Sequence, residues 1–139
     1  MKSLDTNVLA RFFINDPDDA EAARQRPAAI AALAEPALVT ITVLLELEWV
    51  MRGFYGLARA EITRVLRAVL NIEHLTIEDH GAAAAALHAF EAGLDFADAL
   101  HLARSGPVTA VLTFDRRLVK RACAQSTLPP VQLLIPLED

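Results

Sequence analysis

Residues 107–114, PVTAVLTF, run for eight positions without one charged side chain. A strand that is apolar on both faces has to be covered on both, which is the situation of a parallel strand flanked by helices. Parallel strands also need long crossover connections, usually helical. The run therefore predicts helices on either side of it, and the sequence supplies them: "DFADALHLARSG" before and "RRLVKRACAQ" after. Upstream, "ALVTI" is a second short apolar strand, "IEHLTI" alternates as a third, and "SLDTNVLARFF" reads as a strand running into a helix. Near the end, "PPVQLLIPL" adds an edge strand. Strands alternating with helices indicate an α/β fold with a largely parallel sheet.

Punctuation residues set the expected helix ends. In "DPDDAEAARQR", Asp16 is placed as an N-cap with Pro17 at the first helical position, and Pro27 kinks that helix or starts another through Ala34. "TVLLELEWVMRG" is a helix stopped by Gly53. "ARAEITRVLRAVL" is amphipathic, with Ile62, Val65, Leu66 and Val69 on one side. Thr76 with Asp79 resembles a capping box opening an alanine-rich helix that runs to Glu91. At the start of the chain Leu4, Val8, Leu9, Phe12 and Phe13 are the expected buried flanks of Asp5.

A chain of 139 residues with 54% hydrophobic and 22% charged residues fits one globular domain over residues 1–139. No uncharged apolar run approaches the ~20 residues of a membrane span, and Asp5, Asn7 and Arg11 interrupt any leader-like stretch. The expectation is a cytoplasmic protein with no membrane partner. The single cysteine, Cys123, excludes an intramolecular disulfide and is expected as a small core residue. A net charge of -5 weighs against an anionic partner, but eleven of the thirteen bases are arginines, which suit bidentate phosphate contact.

The acids carry the chemistry. Ligands of open α/β sheets sit beyond the carboxyl ends of the strands. Asp5 follows the first strand, Asp115 follows the run ending at Thr113, Glu46 lies early in the helix after "ALVTI", and Asp95 and Asp98 fall in the first turn of theirs. One rim is expected to hold all five. On a helical wheel Glu48 and Arg52 share a face as an i,i+4 solvent pair, whereas Glu46 points towards Trp49 and Val50. A carboxylate on an apolar face needs a partner, either a cation or an internal arginine. Asp95 and Asp115 are explained equally by N-capping. Arg116, Arg117, Lys120 and Arg121 form either a solvated helix face or a contact with phosphates.

Competing chemistries lack their residues. There is no GxSxG, GxGxxG or glycine-rich phosphate loop. His74, His80, His88 and His101 lack zinc-ligand spacing. A haloacid-dehalogenase-like phosphatase needs a second aspartate two positions after Asp5, where Asn7 stands.

"SLDTNVLARFFINDPDD", "LLELEWVMRGFYGL", "GLDFADALHLA" and "VLTFDRRL" resemble, in order and spacing, the four acidic motifs of PIN-domain ribonucleases, and more narrowly the VapC-type toxins of toxin–antitoxin modules. The resemblance runs from about Lys2 to Leu118. It implies a three-layer α/β/α sandwich with a largely parallel central sheet, and an active metal-dependent endoribonuclease. Carried over by position, Asp5, Glu46, Asp98 and Asp115 are the catalytic and metal-binding acids. Asn7 and Thr113 support the site, Asp95 is a less regular position, and Arg116 and Arg117 are candidate RNA contacts. Clustered carboxylates repel unless cations neutralise them, and oxygen-only ligands select Mg²⁺ or Mn²⁺. Such ions can bind the scissile phosphate, acidify an attacking water and stabilise the leaving oxygen; the resemblance implies products with a 5′-phosphate and a 3′-hydroxyl, which metal-activated water would give.

The resemblance further implies an RNA substrate, a cognate antitoxin and a homodimer. Trp49, Phe54 and Tyr55 are either core residues or apolar anchors for that antitoxin, with core packing favoured for Trp49. A non-toxin PIN nuclease and a catalytically silent PIN domain that binds RNA or protein are the alternatives.

Overall fold

The computed structural model describes residues 1–138, which fall into two compact units, Met1–His80 and the chain from Gly81 onward. The first unit is built from β1 (Lys2–Ser3), α1 (Thr6–Phe13), α2 (Ala20–Leu33), β2 (Ala37–Val39), α3 (Ile41–Gly53), α4 (Arg59–Asn71) and β3 (Leu75–Ile77). Its strands form a parallel sheet in the order β1-β2-β3, with Lys2 opposite Ala37 and Leu38 opposite Thr76. Each crossover contains two helices. α1 packs on α2 and α3, and α3 packs on α4. Leu9, Val39, Leu44, Leu47, Met51, Ile62, Leu66 and Val69 are enclosed in this unit.

The second unit holds α5 (His80–Glu91), α6 (Phe96–Ala103), β4 (Val111–Thr113), α7 (Arg116–Ala122) and β5 (Val131–Leu133). β4 and β5 pair in parallel, Val111 opposite Val131. Phe90 and Phe96 meet edge to face at 5.6 Å between centroids. Every strand pairing among the described residues is parallel, as an α/β fold requires, in a three-stranded and a two-stranded sheet. No helix among the described residues is long and apolar enough to cross a membrane.

Several local expectations change. α2 begins at Ala20, not Pro17, because Asp19 Oδ1 accepts from the N–H groups of Glu21 and Ala22 at 3.0 and 3.1 Å, while Asp16 starts the turn before it. Pro27 sits inside this helix without ending it. Gly53 is the last residue of α3 rather than its stop. Thr76 belongs to β3, and α5 opens at His80 after Asp79 takes a left-handed φ of 51°, a conformation aspartate tolerates better than most side chains.

The 107–114 run is a strand only over its last part. Leu112 is 56% and Phe114 66% exposed, and the strand buries one face, with Val111 on it. Cys123 is exposed as well, its thiol donating to the Lys120 carbonyl.

Candidate metal centre and cleft

Asp5 follows β1 directly and is the N-cap of α1, where its Oδ1 accepts from the Thr6 N–H at 2.9 Å. Two residues on, Asn7 begins a face that recurs four residues later at Arg11, one turn along the helix. Asp5, Thr6, Asn7 and Arg11 line a cleft of about 470 Å³, whose other wall is α3 with Glu46, Trp49 and Val50 and the following Phe54 and Tyr55. Two of the predicted acids, Asp5 and Glu46, thus share one cleft with the supporting residue Asn7.

Glu46 and Glu48 exchange the positions expected of them. Glu46 is exposed and faces the cleft; Glu48 is 1% exposed and pairs with Arg52, Nε to Oε2 at 2.9 Å. Glu48 completes a buried stripe, Leu44, Leu47, Glu48 and Met51, at the i, i+3, i+4, i+7 spacing of a core-facing helix. The i,i+4 pairing of Glu48 with Arg52 stands as expected, but its carboxylate is buried rather than in solvent. Trp49 is 62% exposed, not core, because it projects from the flank of α3 outside that stripe.

In the second unit a backbone device aims the next acids. Gly93, at φ 114°, ends α5: its N–H reaches the Phe90 carbonyl and the Leu94 N–H reaches the Ala89 carbonyl, both at 3.0 Å. This is a Schellman ending, with buried Leu94 as its apolar clamp. The chain then turns straight into α6, with Asp95 as N-cap accepting from the Asp98 N–H at 3.1 Å. Asp95 and Asp98 therefore follow a helix in chain order rather than the end of a strand. At the end of β4, Thr113 Oγ1 accepts from the Asp115 N–H at 3.0 Å, and Asp115 Oδ1 caps α7 through the N–H groups of Arg117 and Leu118.

Three of the five acids are caps, and each caps through a single oxygen: Oδ1 of Asp5, Oδ2 of Asp95 and Oδ1 of Asp115. A cap fixes the carboxylate's orientation and leaves its second oxygen available to a cation. Asp98 is different. Its carboxyl is pushed above the usual carboxylate range, first by burial and then by the charges of Asp95 and Asp115, with His101 and Arg121 pulling the other way. Negative charge crowded around a half-buried carboxyl is what a divalent cation relieves, and an all-oxygen donor set suits a hard one. The donor chemistry fits a magnesium-class ion. Among the described residues, no three His, Cys, Asp or Glu side chains stand close enough together to hold a metal unaided.

The remaining candidates are placed simply. Arg116 and Arg117 are exposed at the start of α7. His88 and His101 are exposed, while the rings of His74 and His80 bond to the carbonyls of Leu33 and Leu70. Sequence reasoning passed over Arg11 and Thr6. Arg11 binds Tyr55 Oη through Nη1 at 2.9 Å and Gln25 Oε1 through Nε at 3.0 Å. Its spacing from Asn7 was the available signal. Thr6 is buried in the cleft wall with no partner for its hydroxyl among the described residues, which nothing in the sequence marks.

No curated protein and no solved structure gives a significant match to this chain. A family model does. The PIN domain model covers residues 3–123, a span that contains every acid described above. PIN domains are generally nucleases and typically use divalent metals. With the model covering most of the chain and parallel strands joined through helices, this chain belongs to the PIN-domain family.

Proposed function

We propose that the chain is a single PIN domain acting as a Mg²⁺- or Mn²⁺-dependent endoribonuclease, and that it is the toxin of a toxin–antitoxin module. The observation that carries the nuclease reading is the complete acid set, Asp5, Glu46, Asp98 and Asp115, within the matched span. In this reading Asp5, Asp98 and Asp115 are the principal ligands and Glu46 completes the set, directly or through water. Held by these acids, a divalent cation would supply charge neutralisation at the scissile phosphate and a more acidic water.

The chain's own residues do the positioning. The Thr113 hydroxyl holds the backbone of Asp115, and the α7 cap fixes its carboxylate. The Asp95 cap fixes the first turn of α6 and with it Asp98. Asn7 sits beside Asp5 in the cleft, and Arg116 and Arg117 are free to meet the RNA backbone. Asp98 must be ionised to bind the cation, so metal affinity falls as pH drops through its raised pKa. The toxin reading adds a homodimer, a cytoplasmic site of action and a small antitoxin that places a cationic side chain among the acids.

The test is cleavage of single-stranded RNA by purified protein with Mg²⁺, with Mn²⁺ and with chelator, followed by sequencing of the ends. Metal-dependent products with 5′-phosphate and 3′-hydroxyl ends are expected, and Asp98→Asn should lower the rate by more than about 100-fold, since even outer-shell changes cost 10–100-fold. Equal cleavage with and without chelator would sink the metal reading. Growth arrest on expression, relieved by the product of the adjacent reading frame, tests the toxin role separately. Harmless expression with intact RNase activity leaves a non-toxin PIN nuclease.

A further inference from the structure

The cleft of α1 and α3 carries more than the carboxylates need. Trp49 and Phe54, 62% and 73% exposed, stand on its wall, and Tyr55 meets Phe54 edge to face at 4.9 Å. Exposing two large aromatics costs solvation that a core position would recover, so such residues beside a polar site commonly mark recognition. A guanidinium stands with them: Arg11 lines the same cleft, bonded to Tyr55 Oη. Aromatic faces for a base, an arginine for a phosphate and carboxylates alongside match the chemistry of an unpaired nucleotide.

We propose that this cleft is a subsite for one unstacked nucleobase of the RNA, next to the phosphate that is cut, with Trp49 and Phe54 as its stacking surface and Arg11 holding an adjoining phosphate. The proposal rests on the ribonuclease reading and deepens it: the substrate is single-stranded at this position, and selection between RNAs comes partly from how readily a base leaves its stack. A protein segment seated in the same cleft is the competing occupant. Its apolar side chains would use the aromatics and a basic residue would meet the acids, but it would leave the Arg11 guanidinium without an anion.

Trp49 is the only tryptophan in the chain, so its emission reports on this cleft alone. Wild-type protein in chelator is titrated with a ten-nucleotide oligoadenylate and with an abasic oligomer of the same length and backbone. Binding is followed both by Trp49 emission and by anisotropy of an end label. Expected are quenching of Trp49 by the oligoadenylate and binding at least about fivefold weaker for the abasic oligomer, as stacking on an aromatic is worth 1–3 kcal/mol per base. Trp49→Ala and Phe54→Ala should each raise KM for RNA cleavage by about 5- to 50-fold with kcat changed less than threefold, and Trp49→Phe should restore most of the loss. Both side chains are exposed, so folding is preserved and is checked by circular dichroism. Equal binding of both oligomers, or aromatic variants within twofold of wild type in KM while wild type still cleaves, overturns the subsite and leaves the nuclease. Aromatic variants that lose only the antitoxin assign the cleft to protein and also overturn it. Failure of wild-type protein to bind or cleave any single-stranded RNA removes both readings.

Discussion

Asp98 is the residue at which burial and ionisation pull against each other. Its raised pKa means that the folded state binds the Asp98 proton more tightly than the unfolded chain does. The ionised carboxylate therefore costs stability above its folded pKa, and that cost fades as pH falls towards the unfolded value. Asp98→Asn should raise the melting temperature of metal-free protein at neutral pH, and the gain should shrink in acid; thermal melts of the pair across pH check both signs. Added Mg²⁺ should raise the melting temperature of wild type and not of the variant. Glu48 shows the opposite arrangement, a buried charge already matched within one helix. Removing its cation leaves a carboxylate stranded in the core, so Arg52→Ala should cost roughly 2–3 kcal/mol, below the 3–5 of a fully enclosed pair because Arg52 is half exposed. Glu48→Gln leaves no charge stranded in the core and should cost less. If urea titrations rank the two the other way, the pair is not holding α3 as described.

At the scale of elements, the acids are aimed by helix ends rather than by the sheet alone. Asp5, Asp95 and Asp115 each cap the helix that follows, so one carboxylate terminates secondary structure and presents an oxygen at the same time. Capping and metal binding, which a sequence sets against each other, are compatible because a carboxylate has two oxygens. The α5–α6 junction depends on Gly93, whose left-handed backbone lets Leu94 close the Schellman ending before Asp95 begins its cap. A Cβ at Gly93 would meet nothing within 4 Å, so Gly93→Ala acts through backbone strain alone. It should destabilise the protein by roughly 1–2 kcal/mol. Because the junction sets the direction of Asp95 and Asp98, RNA cleavage should fall more than stability does. A variant as active as wild type would show that the junction does not position these acids.

Over the whole molecule, the family match ends at residue 123, yet β4 pairs with β5 at Val131–Leu133. Val111 donates to the Pro130 carbonyl at 2.8 Å and Leu134 to the Thr113 carbonyl at 2.7 Å, so the tail grips the strand that ends beside Asp115. Deleting residues 125–139 removes these bonds and the ladder, at about 1 kcal/mol each, and should lower the melting temperature by on the order of 5 °C or more. The sequence alone determined the α/β class, the order of strands and helices, and the acids with their motif spacing, because these follow from local periodicity, capping chemistry and short patterns. The caps at Asp95 and Asp115 were legible for the same reason. Only the tertiary structure decided which apolar face of α3 turns inward. Leu44, Leu47 and Met51 compete with Leu45, Trp49 and Val50, and a wheel states which residues share a face but not which face meets α1 and α4. Packing chose the first set, burying Glu48 with Arg52 as its partner, and so left Glu46 and Trp49 to line the cleft.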